Sequence, residues 1–265
     1  MSSAKALLRK NKSPKPKTPP KQPLKRQPKQ IRGKLRSYQM EGLNWLINLY
    51  ENGLCGILGD EMGLGKTLQT IAFVAHLKTL KAVGPVLVVC PLNVLTNWCN
   101  EFARWAPTLE VVRFHGPERE LNRVLRDRLD IGTFDVLVTT FEMVRAAENV
   151  VVNRFHYQCV VVDEAHRVKN DSAQISESLR GVTGFFKILL TGTPLQNNLR
   201  ELWSLLNFLY PEQFESAHSF DRGFNLIGNK VNEDTMWQSQ KVLKLFMLRR
   251  FKVDVANLPP KLETK

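Results

Sequence analysis

The order of apolar and polar residues predicts strands that alternate with helices along most of the chain. Short runs of apolar and β-branched residues, typical of strands, occur at 56–59, 86–90, 111–114, 136–140, 159–162 and 188–190. Stretches with apolar residues at helical spacing separate them, at 67–80, 94–105, 118–129, 141–147 and 173–179. Before the first strand, the same spacing predicts a helix that Ser37 caps and that ends at Asn52 and Gly53.

The predicted strands are almost continuously apolar, which indicates that they are buried on both faces. Strands of this kind, separated by helices, are typical of a mostly parallel sheet with helices packed on both sides. The predicted fold class is therefore α/β. In such sheets ligands bind beyond the carboxyl ends of the strands, and the least ordinary residues of this sequence cluster there.

The charge of the chain is concentrated at its amino terminus. The 265 residues carry a formal net charge of +13, but residues 1–40 hold 13 Lys or Arg and no Asp or Glu, so the remainder is balanced. Prolines and cations between residues 10 and 29 give a composition that forms neither a helix nor a core. We therefore predict a disordered basic tail at 1–34, a lobe at 35–250 and a linker at 251–265. The tail is either a solvated linker or an arm for nucleic-acid binding or nuclear import.

Several classes of protein are excluded by the same sequence. No apolar run approaches the roughly twenty residues that cross a bilayer, so no membrane partner is predicted. The basic start is not followed by the apolar segment of a secretory signal. The four cysteines lie far apart and form no CxxC pair, which argues against a zinc site and against a disulfide scaffold.

The turn after the first predicted strand has the composition of a phosphate-binding loop. It reads DEMGLGKT, which matches the pattern GxxxxGK[ST] except that Asp60 replaces the first glycine. Gly63 and Gly65 allow backbone N–H groups to face phosphate oxygens, and the following helix adds the positive end of its dipole. Lys66 is predicted to reach the β- and γ-phosphates of a nucleotide, and the Thr67 hydroxyl to bind Mg²⁺.

Two further polar groups follow later predicted strands. Asp163 and Glu164 come directly after the apolar run VVV and are suited to hold Mg²⁺ and to activate the water that attacks a γ-phosphate. His166 is predicted to link this pair to neighbouring motifs. The next strand runs into the turn TGTP, whose Thr191 and Thr193 hydroxyls are suited to bond the two carboxylates and report the state of the nucleotide.

These motifs, in this order, resemble those of SNF-type chromatin-remodelling ATPases of the second helicase superfamily. The matching stretches are LRSYQ at 35–39, DEMGLGKT at 60–67, DEAH at 163–166 and TGTPLQNN at 191–198. The aspartate at the first position of the loop is also a habit of that family. The stretches LNWLINLYENG and ELWSLLNF are most similar to members of the imitation-switch (ISWI) class, with CHD-type and other SNF-type members as alternatives.

The resemblance implies the first RecA-like lobe of a P-loop ATPase that uses ATP and Mg²⁺. The implied nucleotide-binding residues are Gln39, Asp60, Gly63, Leu64, Gly65, Lys66 and Thr67. The implied catalytic residues are Lys66, Asp163 and Glu164, with Thr67 and Asp163 as metal ligands. The implied coupling residues are His166, Thr191, Gly192 and Thr193. The implied contacts with a DNA strand are Pro91, Asn93, Thr139 and Thr140.

Gln39 and two tryptophans have plainer interpretations than contact with a ligand. Gln39 matches the glutamine that recognises adenine in the family, but a buried amide that caps a helix is the alternative. Trp98 and Trp105 lie seven residues apart on one predicted helix and are interpreted as core residues rather than as platforms for bases.

The resemblance further implies a nuclear ATP hydrolase that translocates on double-stranded DNA and remodels nucleosomes, with histones as partners. Two alternatives stay open: another superfamily-two helicase or repair translocase on naked nucleic acid, and a truncated DNA- or chromatin-binding module without turnover. The stretches MLRR and DVANLPPK resemble the end of the first lobe, and nothing matches the arginine-finger motif of the second lobe that normally follows in the same chain. We therefore expect the chain to bind nucleotide weakly and hydrolyse it poorly, because loss of such an arginine removes about 10³–10⁵ in rate.

Overall fold

Strands and helices alternate along the chain, as the sequence pattern predicts. The computed structural model describes residues 23–81, 84–130, 132–170, 173–192, 199–217 and 244–255. Its strands are β1 Gly56–Leu58, β2 Val86–Cys90, β3 Val111–Phe114, β4 Val136–Thr140, β5 Tyr157–Val162, β6 Gly184–Leu190 and β7 Met247–Leu248. Its helices are α1 Ser37–Glu51, α2 Lys66–Thr79, α3 Leu92–Trp105, α4 Glu118–Asp127, α5 Phe141–Ala146, α6 Glu148–Val151, α7 Arg167–Asn170, α8 Ala173–Gly181, α9 Leu199–Leu209 and α10 Lys252–Val255.

The described strands form one sheet in the order β3-β4-β2-β5-β6-β1-β7, and each of its pairings is parallel. In the middle of the sheet, Val88 of β2 pairs with Val138 on one side and with Val161 on the other. β1 lies beside β6, and β6 lies beside β5. The predicted α/β fold is confirmed, and this strand order brings the turns after β1, β5 and β6 to neighbouring positions.

Successive residues of the buried strands point to opposite faces of the sheet and supply two separate cores. On one face Val88 packs in a cluster with Leu46 of α1 and Phe73 of α2, and all three side chains are fully buried. On the other face Val89 belongs to a cluster with Leu205 of α9 and further residues of α5 and α8. Helices on both faces explain why the strands are apolar at nearly every position.

The structure differs from the predicted elements mainly at their ends. β6 begins at Gly184 rather than at 188, and β5 begins at Tyr157 rather than at 159. The start of β6 was missed because Phe185 is exposed and Lys187 interrupts the apolar run. The strand β7 was not predicted, because it has only two residues, too few to show the alternation of apolar and polar positions that marks a strand.

The prediction that Ser37 caps the first helix is wrong. Ser37 is the first helical residue, and Arg36 occupies the N-cap. The N–H of Arg36 donates instead to Gln39 Oε1 at 3.0 Å, so a side chain from inside the first turn closes the helix end.

The chain already packs against the lobe before the predicted boundary at residue 34. The Leu24 N–H donates to Asn44 Oδ1 at 2.7 Å, and the Arg32 N–H donates to Trp105 O at 2.8 Å. Ile31 is 5% exposed and belongs to the core. The structure therefore places residues 23–34 on α1 and α3, because a few apolar side chains are enough to dock a segment whose average composition is polar.

The remaining part of the predicted tail, residues 1–22, and most of the predicted linker, residues 256–265, lie outside the described residues. Among the residues that are described, no helix has the length and apolar character needed to cross a membrane.

Candidate functional site

The predicted site residues are brought together at the carboxyl edge of the sheet by backbone hydrogen bonds that continue beyond the strands. The Asp163 N–H donates to Val89 O at 2.8 Å, and the Thr191 N–H donates to Leu58 O at 3.2 Å. The Ala165 N–H donates to Leu190 O at 2.9 Å. The turns after β1, β5 and β6 are thus tied to one another, and their side chains face a common region.

The turn after β1 has the backbone shape that its glycines permit. Gly63 and Gly65 have φ angles of +88° and +80°, in the left-handed region that favours glycine. A Cβ atom on Gly65 would also lie 2.6 Å from Gln39 Nε2, so a side chain there would have to displace the Gln39 amide. Helix α2 begins at Lys66, and the N–H groups of its first turn, including that of Thr67, have no acceptor within the helix. This arrangement is typical of an anion-binding loop.

The Lys66 side chain lies inside this turn. Its Nζ donates to Asp60 O at 2.8 Å, which holds the ammonium across the loop. Burial lowers the pKa of Lys66, and the carboxylates of Asp163 and Glu164 oppose that shift. A cation that is partly desolvated and close to carboxylates is well placed to bind phosphate oxygens.

Asp163 is held at the end of β5 by uncharged donors. Trp98 Nε1 donates to Asp163 Oδ2 at 2.8 Å, and the Glu164 N–H donates to Asp163 Oδ1 at 2.9 Å. Burial raises the pKa of Asp163, while these hydrogen bonds and the Lys66 ammonium oppose the shift. The carboxylate is therefore oriented without being neutralised by a bound guanidinium.

Glu164 has an unusual backbone conformation for a residue with a side chain. Its φ angle is +49°, in the left-handed region, which costs of the order of 1 kcal/mol for a residue other than glycine. His166 Nδ1 lies 3.3 Å from Glu164 Oε2, near enough for a charge interaction but without the alignment of a hydrogen bond. Glu164 therefore combines a strained backbone with a side chain that lies beside the His166 imidazole.

The turn after β6 contacts the phosphate loop directly. Thr191 is fully buried, and a Cβ atom on Gly192 would lie 2.8 Å from Met62 Cγ and 3.4 Å from Lys66 Nζ. The two turns therefore approach each other closely at Gly192. Of the predicted coupling residues, Thr193 lies outside the described residues. The predicted bonds from this turn to the acidic pair stay a prediction.

The Asp60 side chain is engaged inside the lobe, and the nucleotide-binding role that we predicted for Asp60 stays a prediction for its main chain. The side chain is fully buried, and its oxygens accept hydrogen bonds from the Arg250 N–H and Nε at 3.1 and 3.0 Å and from Gln69 Nε2 at 3.2 Å. Arg250 belongs to residues 247–252, which we call the β7 segment. This segment runs alongside β1 and the turn that follows it. Because both carboxylate oxygens are engaged, only the main chain of Asp60 reaches the loop interior, through its bond to Lys66.

Gln39 and Leu64 contribute to the loop in ways that the sequence did not show. Gln39 is 7% exposed, caps α1 with its oxygen and donates from Nε2 to Leu64 O at 3.3 Å. The plainer interpretation of Gln39 as a capping amide is therefore correct, and adenine recognition stays a prediction. The Leu64 side chain is buried, and its N–H donates to Glu61 O at 3.2 Å, so it shapes the loop.

Two of the predicted DNA contacts have side chains that face the interior of the lobe, and any contact with DNA stays a prediction for their main chain. Thr139 and Thr140 are fully buried. The Thr139 hydroxyl donates to Phe114 O at 2.8 Å, and the Thr140 hydroxyl accepts from the Met143 N–H at 3.3 Å and caps α5. These hydroxyls satisfy the backbone of the lobe and are sealed from a nucleic acid.

The other two predicted DNA contacts lie at the start of α3. Pro91 is buried and forms the N-cap of the helix, whereas Asn93 is exposed. Asn93 therefore stays a candidate contact, at the same edge of the sheet as the nucleotide loop.

Sequence reasoning missed three residues that position the site. Trp98 is a core residue, as predicted, but its indole N–H also orients Asp163. A buried indole N–H needs an acceptor, which is the signal that could have indicated this bond. Arg250 and Gln69 surround Asp60, and the signal was that a buried carboxylate in place of a glycine requires a cationic partner. The sequence could not show which cation, because Arg250 lies 190 positions away.

The oxygen donors at this edge fit a magnesium ion bound together with phosphates. The Thr67 hydroxyl at the start of α2 and the Asp163 carboxylate are the donors, and Mg²⁺ in nucleotide sites commonly has one or two protein ligands besides phosphates and water. Within the described ranges, no group of three or more His, Cys, Asp or Glu residues could hold a metal by itself. The donor set suits Mg²⁺ that arrives with a nucleotide, rather than a resident metal.

A parallel sheet with a phosphate loop after β1 and an acidic pair after β5 defines a RecA-like P-loop nucleotide-binding lobe. The model of the SNF2-related domain matches residues 38–265, and the chain belongs to this family. The resemblance noted in the sequence is thereby confirmed.

Individual relatives agree with this assignment. The chain is 50% identical over 240 residues to an ISWI chromatin-remodeling complex ATPase of Arabidopsis thaliana, covering 90% of this chain and 23% of the relative. It is 50% identical over 235 residues to the SWI/SNF-related matrix-associated actin-dependent regulator of chromatin subfamily A member 1 of Homo sapiens, covering 88% and 22%. The chain thus spans less than a quarter of the length of these curated relatives.

A solved structure has the same fold. The Sulfolobus solfataricus SWI2/SNF2 ATPase core in complex with dsDNA superposes with a TM-score of 0.76 at 31% identity, covering 89% of this chain and 48% of that chain. The described lobe therefore corresponds to about half of that ATPase core.

Proposed function

We propose that this chain is the ATP-binding lobe of an ISWI-type, DNA-dependent ATPase that moves duplex DNA relative to nucleosomes in the nucleus. The observation that carries the proposal is the meeting of three turns: the loop holding Lys66, the pair Asp163–Glu164, and Gly192 against that loop. The similarity to ISWI chromatin-remodeling ATPases supports the choice of substrate, and the archaeal core with dsDNA supports DNA as the track.

Each group at the site has a task in this proposal. Lys66 and the first-turn N–H groups of α2 bind the β- and γ-phosphates. Thr67 and Asp163 hold Mg²⁺, which supplies neutralisation of phosphate charge when it is bound. Glu164 accepts the proton of the attacking water, and its left-handed backbone together with His166 sets the direction of its carboxylate. Trp98 keeps Asp163 in place.

The second half of the proposal concerns movement. Gly192 lies against the loop, and the Thr191 N–H donates to Leu58 O at the end of β1, so a change of nucleotide would shift the turn after β6 and the chain that follows it. Asn93 is the described candidate for a DNA contact. Gln39, which touches the loop at Leu64, is the candidate for contact with adenine.

Binding of ATP to the purified chain tests the nucleotide site. Calorimetry with and without Mg²⁺ is expected to show magnesium-dependent uptake by the wild type, and Lys66→Ala is expected to weaken it by about ten- to hundredfold. The matched control is Lys187→Ala, which removes another lysine whose pKa is lowered by burial, on β6 but packed against Phe208.

Two results would contradict the proposal. One is equal weakening by the Lys66 and Lys187 variants, which would make the effect one of stability. The other is no magnesium-dependent uptake of ATP by the folded wild type at millimolar nucleotide.

A further inference from the structure

The β7 segment runs beside the phosphate loop over its whole first half. The Gly59 N–H donates to Leu248 O at 2.8 Å, and the Glu61 N–H donates to Arg250 O at 3.0 Å. The Lys252 N–H donates to Glu61 Oε2 at 2.6 Å. The pairing of β1 with β7 therefore continues past the strands, so that the loop is built partly on residues about 190 positions away in the sequence.

The Arg250 guanidinium is the centre of this contact. Its Nε and Nη2 donate to the two carboxylate oxygens of Asp60, Nη2 donates to Gln69 Oε1 at 2.7 Å, and Nη1 donates to Tyr38 O. The side chains of Arg250 and Asp60 are 10% and 0% exposed. Such a forked, buried pair fixes geometry as well as charge, since the planar guanidinium allows few orientations.

The same cluster reaches the inner side of the loop. Asp60 is its first residue, and Asp60 O holds the Lys66 ammonium. Gln69, which Arg250 orients, donates to Asp60 Oδ2 at 3.2 Å and contacts Leu64 O at 3.4 Å. Displacement of the guanidinium would therefore release the loop at both ends, and a purely structural ion pair elsewhere on the lobe would not do this.

We propose that Arg250 is a positioning residue: it holds the phosphate loop in shape through Asp60 and Gln69, so that the loop keeps this shape only while the β7 segment is docked. The proposal rests on the proposed function only for the identity of the ligand. It makes the loop responsive to the chain that continues from the β7 segment.

Hydrogen exchange without nucleotide tests the positioning role directly. In Arg250→Met, the Glu61 and Leu64 amides are expected to exchange about ten- to hundredfold faster than in the wild type, because charged hydrogen bonds of this kind are lost. Arg250→Lys, which keeps the charge but not the fork, is expected to give an intermediate rate. The control is Tyr157→Phe, which removes a buried hydrogen bond to Val151 O. Tyr157 lies at the amino end of β5, at the end of the sheet away from the loop.

A double variant separates positioning from stability. Asp60→Asn with Arg250→Met leaves no unpaired buried charge, so its melting temperature is expected to recover toward that of the wild type. The loop amides should nevertheless stay fast, and ATP affinity measured by calorimetry should stay about tenfold or more below the wild type.

Two outcomes would overturn the inference. One is an increase in loop amide exchange in the Arg250 variants that is no larger than the increase in Tyr157→Phe, when each variant is measured equally far below its own melting temperature. The other is a double variant that recovers stability and slow loop exchange together. If the wild type bound no ATP while the exchange pattern appeared as expected, the proposed function would fail and the positioning role would stand.

Discussion

Two carboxylates at the carboxyl edge of the sheet differ in their burial and in the charge of their hydrogen-bond partners. Asp60, after β1, is sealed from solvent and paired with the Arg250 guanidinium and the Gln69 amide. Asp163, after β5, keeps some exposure and is held by the Trp98 indole and a backbone N–H, which carry no charge. Burial raises the pKa of Asp163.

The difference separates a group that holds the structure from a group that is available for chemistry. A carboxylate that is fully paired with a guanidinium has no free oxygen with which to bind a ligand. Removal of either partner leaves the other as an unpaired buried charge. A carboxylate oriented by neutral donors still attracts a cation such as Mg²⁺. Backbone strain follows the same division, because Glu164 beside Asp163 has a φ angle of +49°.

The largest effect is expected from Glu164→Gln. Loss of the general base should lower ATP hydrolysis by about 10²–10⁴-fold, while ATP binding stays within a few-fold of the wild type, because the amide has the same shape and the Lys66 loop is untouched. Binding is measured on this chain by calorimetry. Hydrolysis is measured with duplex DNA on the chain fused to the segment that follows in the Arabidopsis relative.

The control for this variant is Glu142→Gln, since Glu142 is an exposed glutamate near the same edge that pairs with Arg167 at 3.7 Å. Turnover in that variant should match the wild type. Normal turnover in Glu164→Gln would show that Glu164 is not the general base. Asp163 would then be the only carboxylate of the pair with a role in hydrolysis.

A smaller effect, on stability, is expected from Gly42→Ala on the Asp60 side of the comparison. In an ordinary helix this change stabilises by about 1 kcal/mol. Here the new Cβ would overlap Gln69 Oε1 and lie 2.8 Å from Arg250 Nη2, so we expect a net loss of about 1–2 kcal/mol in the free energy of unfolding. Denaturant unfolding measures this.

The double variant Gly42→Ala with Gln69→Ala sharpens this test. Truncation of Gln69 removes the atom that the new Cβ would strike, so the two substitutions should cost less together than the sum of their separate costs. Additive costs would show that the glycine is not required by the cluster around Asp60.

Much of the fold follows from the sequence because it depends on local patterns. The strands β2, β3 and β4 have the predicted bounds, since their apolar runs are continuous and end at polar or turn residues. β7 and the first half of β6 were missed for a physical reason. β7 has only two residues, and in β6 Phe185 is exposed and Lys187 interrupts the apolar run, so no local pattern marks these positions as strand.

In the candidate site, too, local patterns predict the positions of residues, whereas contacts that depend on tertiary packing were not predicted. Lys66 and Gly192, which lie in turns next to strands, are brought close together at the edge of the sheet where the motifs were expected to cluster. The hydrogen-bond partners of the Thr139, Asp60 and Trp98 side chains were not predicted, because such partners are set by tertiary packing. A motif therefore indicates where a residue lies better than it indicates what its side chain contacts.

The smallest expected effect, and the one that tests the electrostatic half of the comparison, is the pH dependence of Asp163→Asn. Burial raises the pKa of Asp163 above its unfolded value, so the folded wild type binds an additional proton between the two pKa values. Wild-type stability contributed by this group is therefore present at acid pH and is lost as the pH rises through that window. An asparagine cannot ionise and has no such loss.

The free energy of unfolding of Asp163→Asn relative to the wild type should consequently rise between acid and neutral pH. Chemical denaturation at a series of pH values measures the difference, and Asp135→Asn, which lies outside the site and pairs with Lys78, is the control. A difference that falls with rising pH would mean that Lys66 and the neutral donors outweigh burial at Asp163. The two carboxylates would then both be stabilising charges, and the division between them would rest on geometry alone.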